Sequence, residues 1–142
     1  MRKTTIFLLF PLFPFVSPSQ DEAASVAHRL ASVKVFAFGG IGFAGETSDG
    51  EKDFRIIYSQ PHDVALKLFE ELFKNGNPEA KSYALAGIRQ VAPARFATLK
   101  QSLAGSSTKV VTMSGCIVEE KLLTSVADDI GKGNYDYWIK RR

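Results

Sequence analysis

Two apolar segments with helical spacing, separated by a short polar break, constrain the fold of this chain more than any other feature. In the first segment the apolar residues recur every three or four positions, at Leu68, Phe69, Leu72 and Phe73. This spacing predicts a helix with one buried face. Asn75-Gly76 is expected to end that helix with a left-handed glycine, and Asn77-Pro78 is expected to begin the next one.

The second segment is apolar on nearly all sides, which is typical of a helix in the interior of a domain. Its apolar residues are Ala80, Tyr83, Ala84, Leu85, Ala86, Ile88 and Val91. Because the break between the two helices is so short, we expect them to pack against each other as an antiparallel hairpin.

Shorter patterns predict the remaining elements. These are helices over about 21–33, 49–58, 93–105 and 119–130, and an extended segment over about 110–113. Val33–Phe38 is either a short strand or the end of the first helix. Ser48 and Glu51 have the spacing of a capping box at the start of the second helix. The aromatic tail over 134–138 is expected to pack back onto the core.

Together these elements indicate a mainly α fold, a compact antiparallel helical-hairpin domain with one or two short extended segments. The domain is expected to span residues 20–142, a length that suits one hydrophobic core. The chain has a single cysteine, so no disulfide within the chain can hold the fold together. Packing of apolar side chains must therefore supply the stability.

The first 19 residues have the order of segments found in a secretory signal peptide. Arg2 and Lys3 precede an apolar run over 6–16, and small residues follow over 17–19. The alternative, a membrane anchor that is not cleaved, needs about 20 apolar residues, and this run is roughly half that length. We therefore expect cleavage near Ser19, a secreted or periplasmic protein, and no transmembrane segment after cleavage.

The charge of the chain argues against one class of partner. The formal net charge of +3 includes Arg2 and Lys3, so removal of the leader leaves 3 − 2 = +1. A nearly neutral domain lacks the basic surface that nucleic-acid binding requires. Nucleic acid is therefore not expected as a partner.

The stretch over 77–88 resembles the second helix of a HEAT repeat. Lys81 and Ala84 match a basic residue followed three positions later by alanine, whereas Gly87-Ile88 departs from the usual leucine–glycine order. The resemblance covers roughly residues 49–103 and implies packed helical hairpins rather than a long solenoid. Two blocks also resemble segments of small exported bacterial proteins of unknown function, Gly42–Gly45 and Met113–Val118. That second resemblance implies no activity.

A glycine-rich connection over 39–45 contains the letters of a dinucleotide-binding fingerprint, at Gly40, Gly42 and Gly45. The fingerprint requires a strand before it and a helix that begins within it, whereas the next helix signal begins at Ser48. We therefore interpret the connection as a tight turn in which several glycines adopt positive φ, and we expect no cofactor. As a surface loop that carries Ile41 and Phe43, it is also a candidate partner-binding element.

Cys116 is expected just before a helix N-terminus, where unpaired amides favour a reactive thiolate. Three interpretations are open for this residue: a buried apolar side chain, which we favour, an intermolecular disulfide, or a catalytic nucleophile. A nucleophile needs a base, and neither His28 nor His62 has a local signature that ties it to Cys116. The spacing of these residues is not that of a zinc site, so no metal is expected.

The sequence supports two functional hypotheses. The favoured one is an exported, non-enzymatic interaction or structural module. It would bind an unknown protein or cell-envelope component through a helix face or through the loop over 39–45. The alternative is a small thiol-dependent enzyme that uses Cys116 with His62 or His28.

Overall fold

Helices form most of the part of the protein that the structure, a computed structural model, describes, which is residues 19–141. The expected leader over 1–19 lies outside these residues except for Ser19. The described part contains seven helices: α1 Gln20–Leu30, α2 Asp49–Tyr58, α3 His62–Asn75, α4 Pro78–Val91, α5 Pro93–Ser102, α6 Leu123–Gly131 and α7 Asp136–Lys140. Four strands accompany them: β1 Gly40–Ile41, β2 Glu46–Thr47, β3 Lys109–Ser114 and β4 Ile117–Leu122. The predicted mainly α fold with short extended segments is confirmed.

The strands form two separate antiparallel hairpins, β1 with β2 and β3 with β4.

None of the helices over residues 19–141 is both long enough and apolar enough to cross a membrane. One cluster of buried side chains, which extends from Val26 in α1 to Ile139 in α7, forms the hydrophobic core. The first and last helices of the described part, α1 and α7, therefore contribute to the same core.

The break between α3 and α4 agrees with the prediction at Asn77 and differs from it at Gly76. The side-chain oxygen of Asn77 accepts a hydrogen bond from the Ala80 amide at 2.8 Å, which caps α4 as expected. Gly76 has a φ of −78°, so the prediction of a left-handed glycine is wrong. A Cβ on Gly76 would lie 2.6 Å from the carbonyl oxygen of Leu72. Glycine is needed at this position because the Leu72 carbonyl leaves no room for a side chain. A positive φ is not the reason.

α4 lies in the interior of the fold, as its composition predicted. Residues 82–88 are all buried, and α4 packs against α2, α3, α5, α6 and β3. At the contact with α3, a Cβ on Gly87 would lie only 2.3 Å from Cε2 of Phe69. The fully buried ring of Phe69 therefore occupies the space that the missing side chain of Gly87 leaves.

The segment over 33–38 contains neither helix nor a regular strand and runs beside β3 at Phe36, so it is not the end of α1. Its amide at Phe36 donates to the Val111 carbonyl at 2.8 Å, and its carbonyl at Phe36 accepts from the Met113 amide at 3.1 Å. The two segments run parallel, with a single bridge between Phe36 and Thr112. This short contact adds a third extended segment to the β3–β4 hairpin.

β3 and β4 form an antiparallel hairpin, so the prediction of a helix over about 119–130 is wrong at its start. Residues 119–122 belong to β4, where each pairs with a residue of β3. Pairing with β3 takes the place of helical hydrogen bonds there, and α6 begins only at Leu123. From that point onwards the predicted apolar face is buried, at Leu123, Val126, Ala127 and Ile130.

The aromatic tail packs against the core, as predicted. Tyr135 and Trp138 are partly buried against the core, and Ile139 of α7 is buried. The ring of Tyr135 lies edge-on to that of Phe36, with the two centroids 5.1 Å apart. The tail therefore closes the core next to the extended segment over 33–38.

Phe69→Ala is expected to lower the free energy of unfolding by about 3–5 kcal/mol, because it removes a fully buried ring from the α3–α4 contact. Leu68→Ala is the matched control on the same helix. Leu68 was expected on the buried face but is only half-buried, so its loss should cost less. Urea denaturation of the two variants measures the difference. Equal losses would contradict the packing of α3 against α4 through Phe69.

Candidate functional site

The tips of the two hairpins lie next to each other. Residues 42–45 connect β1 to β2, and Gly115 with Cys116 connects β3 to β4. Ile41 forms an isolated parallel bridge with Gly115, and the Gly42 amide donates to the Gly115 carbonyl at 2.9 Å. Two loops that are far apart in the sequence therefore form one continuous surface.

Large apolar side chains are exposed on these two hairpins. Phe43 is fully exposed at 104%, and Ile117 and Val118 are 64% and 61% exposed. Of the five large apolar side chains exposed over residues 19–141, four lie on the hairpins, and the fifth is Tyr137 on α7. We call Phe43, Cys116, Ile117 and Val118 the hairpin-tip surface. Exposed apolar residues that cluster in this way are typical of an interaction surface.

The glycines of the predicted partner loop shape the first tip. Gly42 and Gly45 have φ values of +67° and +65°, which confirms a tight turn that relies on positive φ. A Cβ on Gly40 would lie 2.9 Å from the Gly45 carbonyl oxygen, so the loop closes tightly at its base. The turn leaves Phe43 exposed, whereas Ile41 is half-buried. A role for these residues in partner binding stays a prediction.

The dinucleotide fingerprint in this loop lacks the structural context that the motif requires. β1 pairs antiparallel with β2, and the next helix, α2, begins at Asp49, after the last glycine of the motif. A dinucleotide site needs a parallel βαβ unit in which the helix N-terminus faces the pyrophosphate. The arrangement over 40–49 therefore supports the interpretation of a tight turn.

An ion pair between buried Glu51 and partly exposed Arg55 holds the base of the first tip. Glu51, which is 3% exposed, accepts a hydrogen bond from the Gly39 amide at 2.7 Å. Its other oxygen accepts from Nε of Arg55 at 3.1 Å, and Arg55 donates to the Trp138 carbonyl at 2.8 Å. Only half of the expected capping box forms, because Ser48 Oγ accepts from the Glu51 amide at 3.1 Å while the carboxylate binds elsewhere. The pair ties the loop to α2 and to the C-terminal tail.

The hydroxyl of Tyr83 holds the segment that leads into the loop. It donates to the Ala37 carbonyl at 2.8 Å and accepts from the Ala37 amide at 3.0 Å. Ser48 Oγ lies 3.3 Å from the same hydroxyl. Burial is the main cause that raises the pKa of Tyr83 to about 12. The hydroxyl therefore keeps its proton at neutral pH and acts as a fixed structural link.

Cys116 is exposed in the turn between β3 and β4, so the expectation of a buried cysteine just before a helix N-terminus is wrong. Gly115 precedes it with a φ of +55°, which is typical of the first position of a type II′ hairpin turn. His28 lies on α1 and His62 begins α3, and both are exposed. Over residues 19–141 no hydrogen bond joins Cys116 to either histidine. A catalytic pairing between them stays a prediction.

The same described residues hold no group of three or more His, Cys, Asp or Glu side chains placed to bind a metal ion. Glu51 and Arg55, at the base of the first tip, already bind each other and nearby backbone groups, whereas Glu46, which follows the tip in β2, is exposed. The region around the tips therefore offers exposed apolar surface, one accessible thiol and the exposed carboxylate of Glu46.

Sequence reasoning missed Ile117 and Val118 because it treated them as the lead into a helix. The signal for a hairpin was present in the residues around them. Ser114, Gly115 and Cys116 separate two runs rich in β-branched residues, 110–113 and 117–118. A short break that contains glycine between such runs predicts a hairpin.

No family model, curated protein or solved structure gives a significant match to this chain. The resemblance of residues 77–88 to a HEAT repeat stays a prediction, as does export.

Tyr83→Phe is expected to lower the free energy of unfolding at neutral pH by about 1–3 kcal/mol, because it leaves the buried Ala37 amide without its partner. Tyr58→Phe is the matched control, since Tyr58 is only half-buried and its hydroxyl forms no hydrogen bond within residues 19–141. Chemical denaturation of the two variants measures the difference. Equal changes would contradict the structural role of the Tyr83 hydroxyl.

The stability difference between wild type and Tyr83→Phe is expected to narrow in alkali. The unfolded tyrosine loses its proton at a pKa of about 10, whereas burial raises the pKa of folded Tyr83 to about 12. Between these two values the unfolded state binds fewer protons than the folded state, so wild-type stability falls as the pH rises. Phenylalanine has no proton to lose. Denaturation over this pH range measures the effect, and a constant difference would contradict it.

Cys116 is expected to react with a soluble maleimide about as fast in the folded protein as in the denatured protein. An exposed thiol in a turn needs no unfolding step before it reacts. Labelling rates with and without denaturant, followed by mass spectrometry, measure this. Labelling that becomes fast only in denaturant would show that the thiol is buried after all.

Proposed function

We propose that the protein is an exported, non-enzymatic interaction module that binds a protein partner, secreted or in the cell envelope, through the hairpin-tip surface. The observation that carries the proposal is the full exposure of Phe43 beside a second tip with exposed Ile117 and Val118. The export in this proposal rests on the leader expected over 1–19. A solvent-exposed cluster of this kind gains stability when a partner covers it.

Burial of Phe43 would supply a large part of the binding energy. Removing a fully exposed aromatic side chain from water is worth about 1.5–3 kcal/mol. The Gly39 amide is bonded to Glu51, and the Gly42 amide is bonded to Gly115, so the loop is held before any partner arrives. Because the backbone of the loop is already held at these points, less backbone freedom is lost on binding and more of that energy is available for affinity.

A photo-crosslinking amino acid at position 43 tests the proposal in cells that express the full chain. p-Benzoylphenylalanine in place of Phe43 keeps an aromatic side chain there, and we expect a specific cross-linked product in the envelope or secreted fraction. The same amino acid in place of Tyr137 is the matched control. Tyr137 is 65% exposed on α7, outside the hairpins, and should give no such product.

A second variant tests whether the two tips contact the same partner. Ile117→Ser in the same chain should lower the yield of the product formed at position 43, because both residues are expected to contact one partner. Equal products from positions 43 and 137, or no product from position 43 in either fraction, would overturn the proposal.

The alternative, a thiol-dependent enzyme, is favoured by one observation: Cys116 is exposed and open to a substrate. Its base would be His62 or His28. If either histidine activates the thiol, its replacement by alanine should slow the labelling of native Cys116 several-fold while labelling in denaturant stays unchanged. Unchanged rates in both variants would remove the support for this alternative.

A further inference from the structure

β4 is the outer strand of its hairpin, and one edge of its backbone faces away from the rest of the sheet. Val111 and Met113 of β3 use backbone groups to bind Phe36, on the side away from β4. In an antiparallel pair, residues alternate between bonding to the partner strand and pointing away from it. The residues that pair with Val111 and Met113 are Glu120 and Val118. Their amides and carbonyls therefore point outward from β4.

The side chains along this strand are also open to solvent. Val118 is 61% exposed and Leu122 is 42% exposed, and the other residues of β4 apart from Lys121 are exposed as well. In the described part of the chain, only β3 and α6 pack extensively against β4. A free strand edge of this kind is a template for pairing with another strand.

We propose that β4 pairs antiparallel with β4 of a second copy of this chain, about a twofold axis at Glu120. In this register Val118 lies opposite the partner's Leu122, and Glu119 lies opposite the partner's Lys121. The symmetry repeats each of these contacts on the other side of the axis. Apolar side chains then meet apolar ones, and carboxylates meet ammonium groups, which are the favourable cross-strand pairs.

The charges of β4 favour this register because it places Glu119 opposite the partner's Lys121 twice and brings together only one like-charge pair, the two Glu120 side chains. The two Glu120 side chains meet at the axis, and each already binds Lys109 of its own chain at 2.7 Å. An axis at Glu119 would place two Glu119 carboxylates opposite each other and would set Ile117 against the partner's Lys121. Charged residues on an edge strand normally prevent pairing. On β4 their order supports self-pairing about Glu120.

This inference does not rest on the proposed function, because it is argued from the outward edge of β4 and not from Phe43. The two proposals share one residue, Val118, which the paired strands would cover. It also differs from an intermolecular disulfide. With the axis at Glu120, the two Cys116 residues lie at opposite ends of the paired strands. A disulfide requires Cα atoms within about 7 Å of each other, so this dimer forms without one.

Sedimentation velocity of the purified chain, in a Cys116→Ser background that removes any disulfide dimer, tests the inference. We expect the mass to double as the protein concentration rises. Glu120→Pro should stay monomeric, because proline removes an amide that points outward and leaves the β3–β4 hydrogen bonds in place. Glu120→Ala is the matched control. It keeps the amide and should still dimerise.

An exchange of charges tests the register. Glu119→Lys and Lys121→Glu should each raise the dissociation constant about tenfold, because each creates two like-charge pairs across the axis. The double variant restores opposite charges and should return the constant to near its starting value. Circular dichroism checks that each variant keeps its helices. A chain that stays monomeric at every concentration, a dimer that survives Glu120→Pro, or a double variant without recovery would overturn the inference.

Discussion

The hydroxyl of Tyr83 joins three parts of the fold that are distant in the sequence. α4 places it in the interior, where it binds both backbone groups of Ala37 and lies close to Ser48 at the start of α2. The extended segment that contains Ala37 then runs beside β3 through the two backbone bonds of Phe36. These contacts position the first hairpin tip next to the second. The surface for which we propose a function thus depends on a buried hydroxyl.

The buried contacts beneath the tips also account for their exposure. Glu51 and Arg55 bind each other, the Gly39 amide and the Trp138 carbonyl. Separating the buried Glu51 carboxylate from its partners is costly, so these contacts hold the base of the loop in the conformation that leaves Phe43 exposed. The exposed ring of Phe43 would gain free energy if a partner removed it from water. The outward edge of β4 offers a second means of association, through backbone groups and complementary charges.

Helix boundaries could be predicted from the sequence where the deciding chemistry is local. Asn77 caps α4 and Ser48 caps α2 through bonds to amides only three residues later. The same local reasoning failed at Leu122, where an apolar spacing compatible with a helix continued into a strand. Pairing with β3 decided the structure there. It also placed Cys116 in an exposed turn, where a helix start had been expected.

The sequence by itself determined where most helices lie and that α4 is interior, because helical hydrogen bonds and caps join residues about four positions apart. It also determined that the fold holds without a disulfide. Only the tertiary structure decided that residues 117–122 form a strand, that the Glu51 carboxylate binds Gly39, and that Gly42 meets Gly115. Strand pairing and burial depend on partners that are far away in the chain, and local patterns carry no information about them.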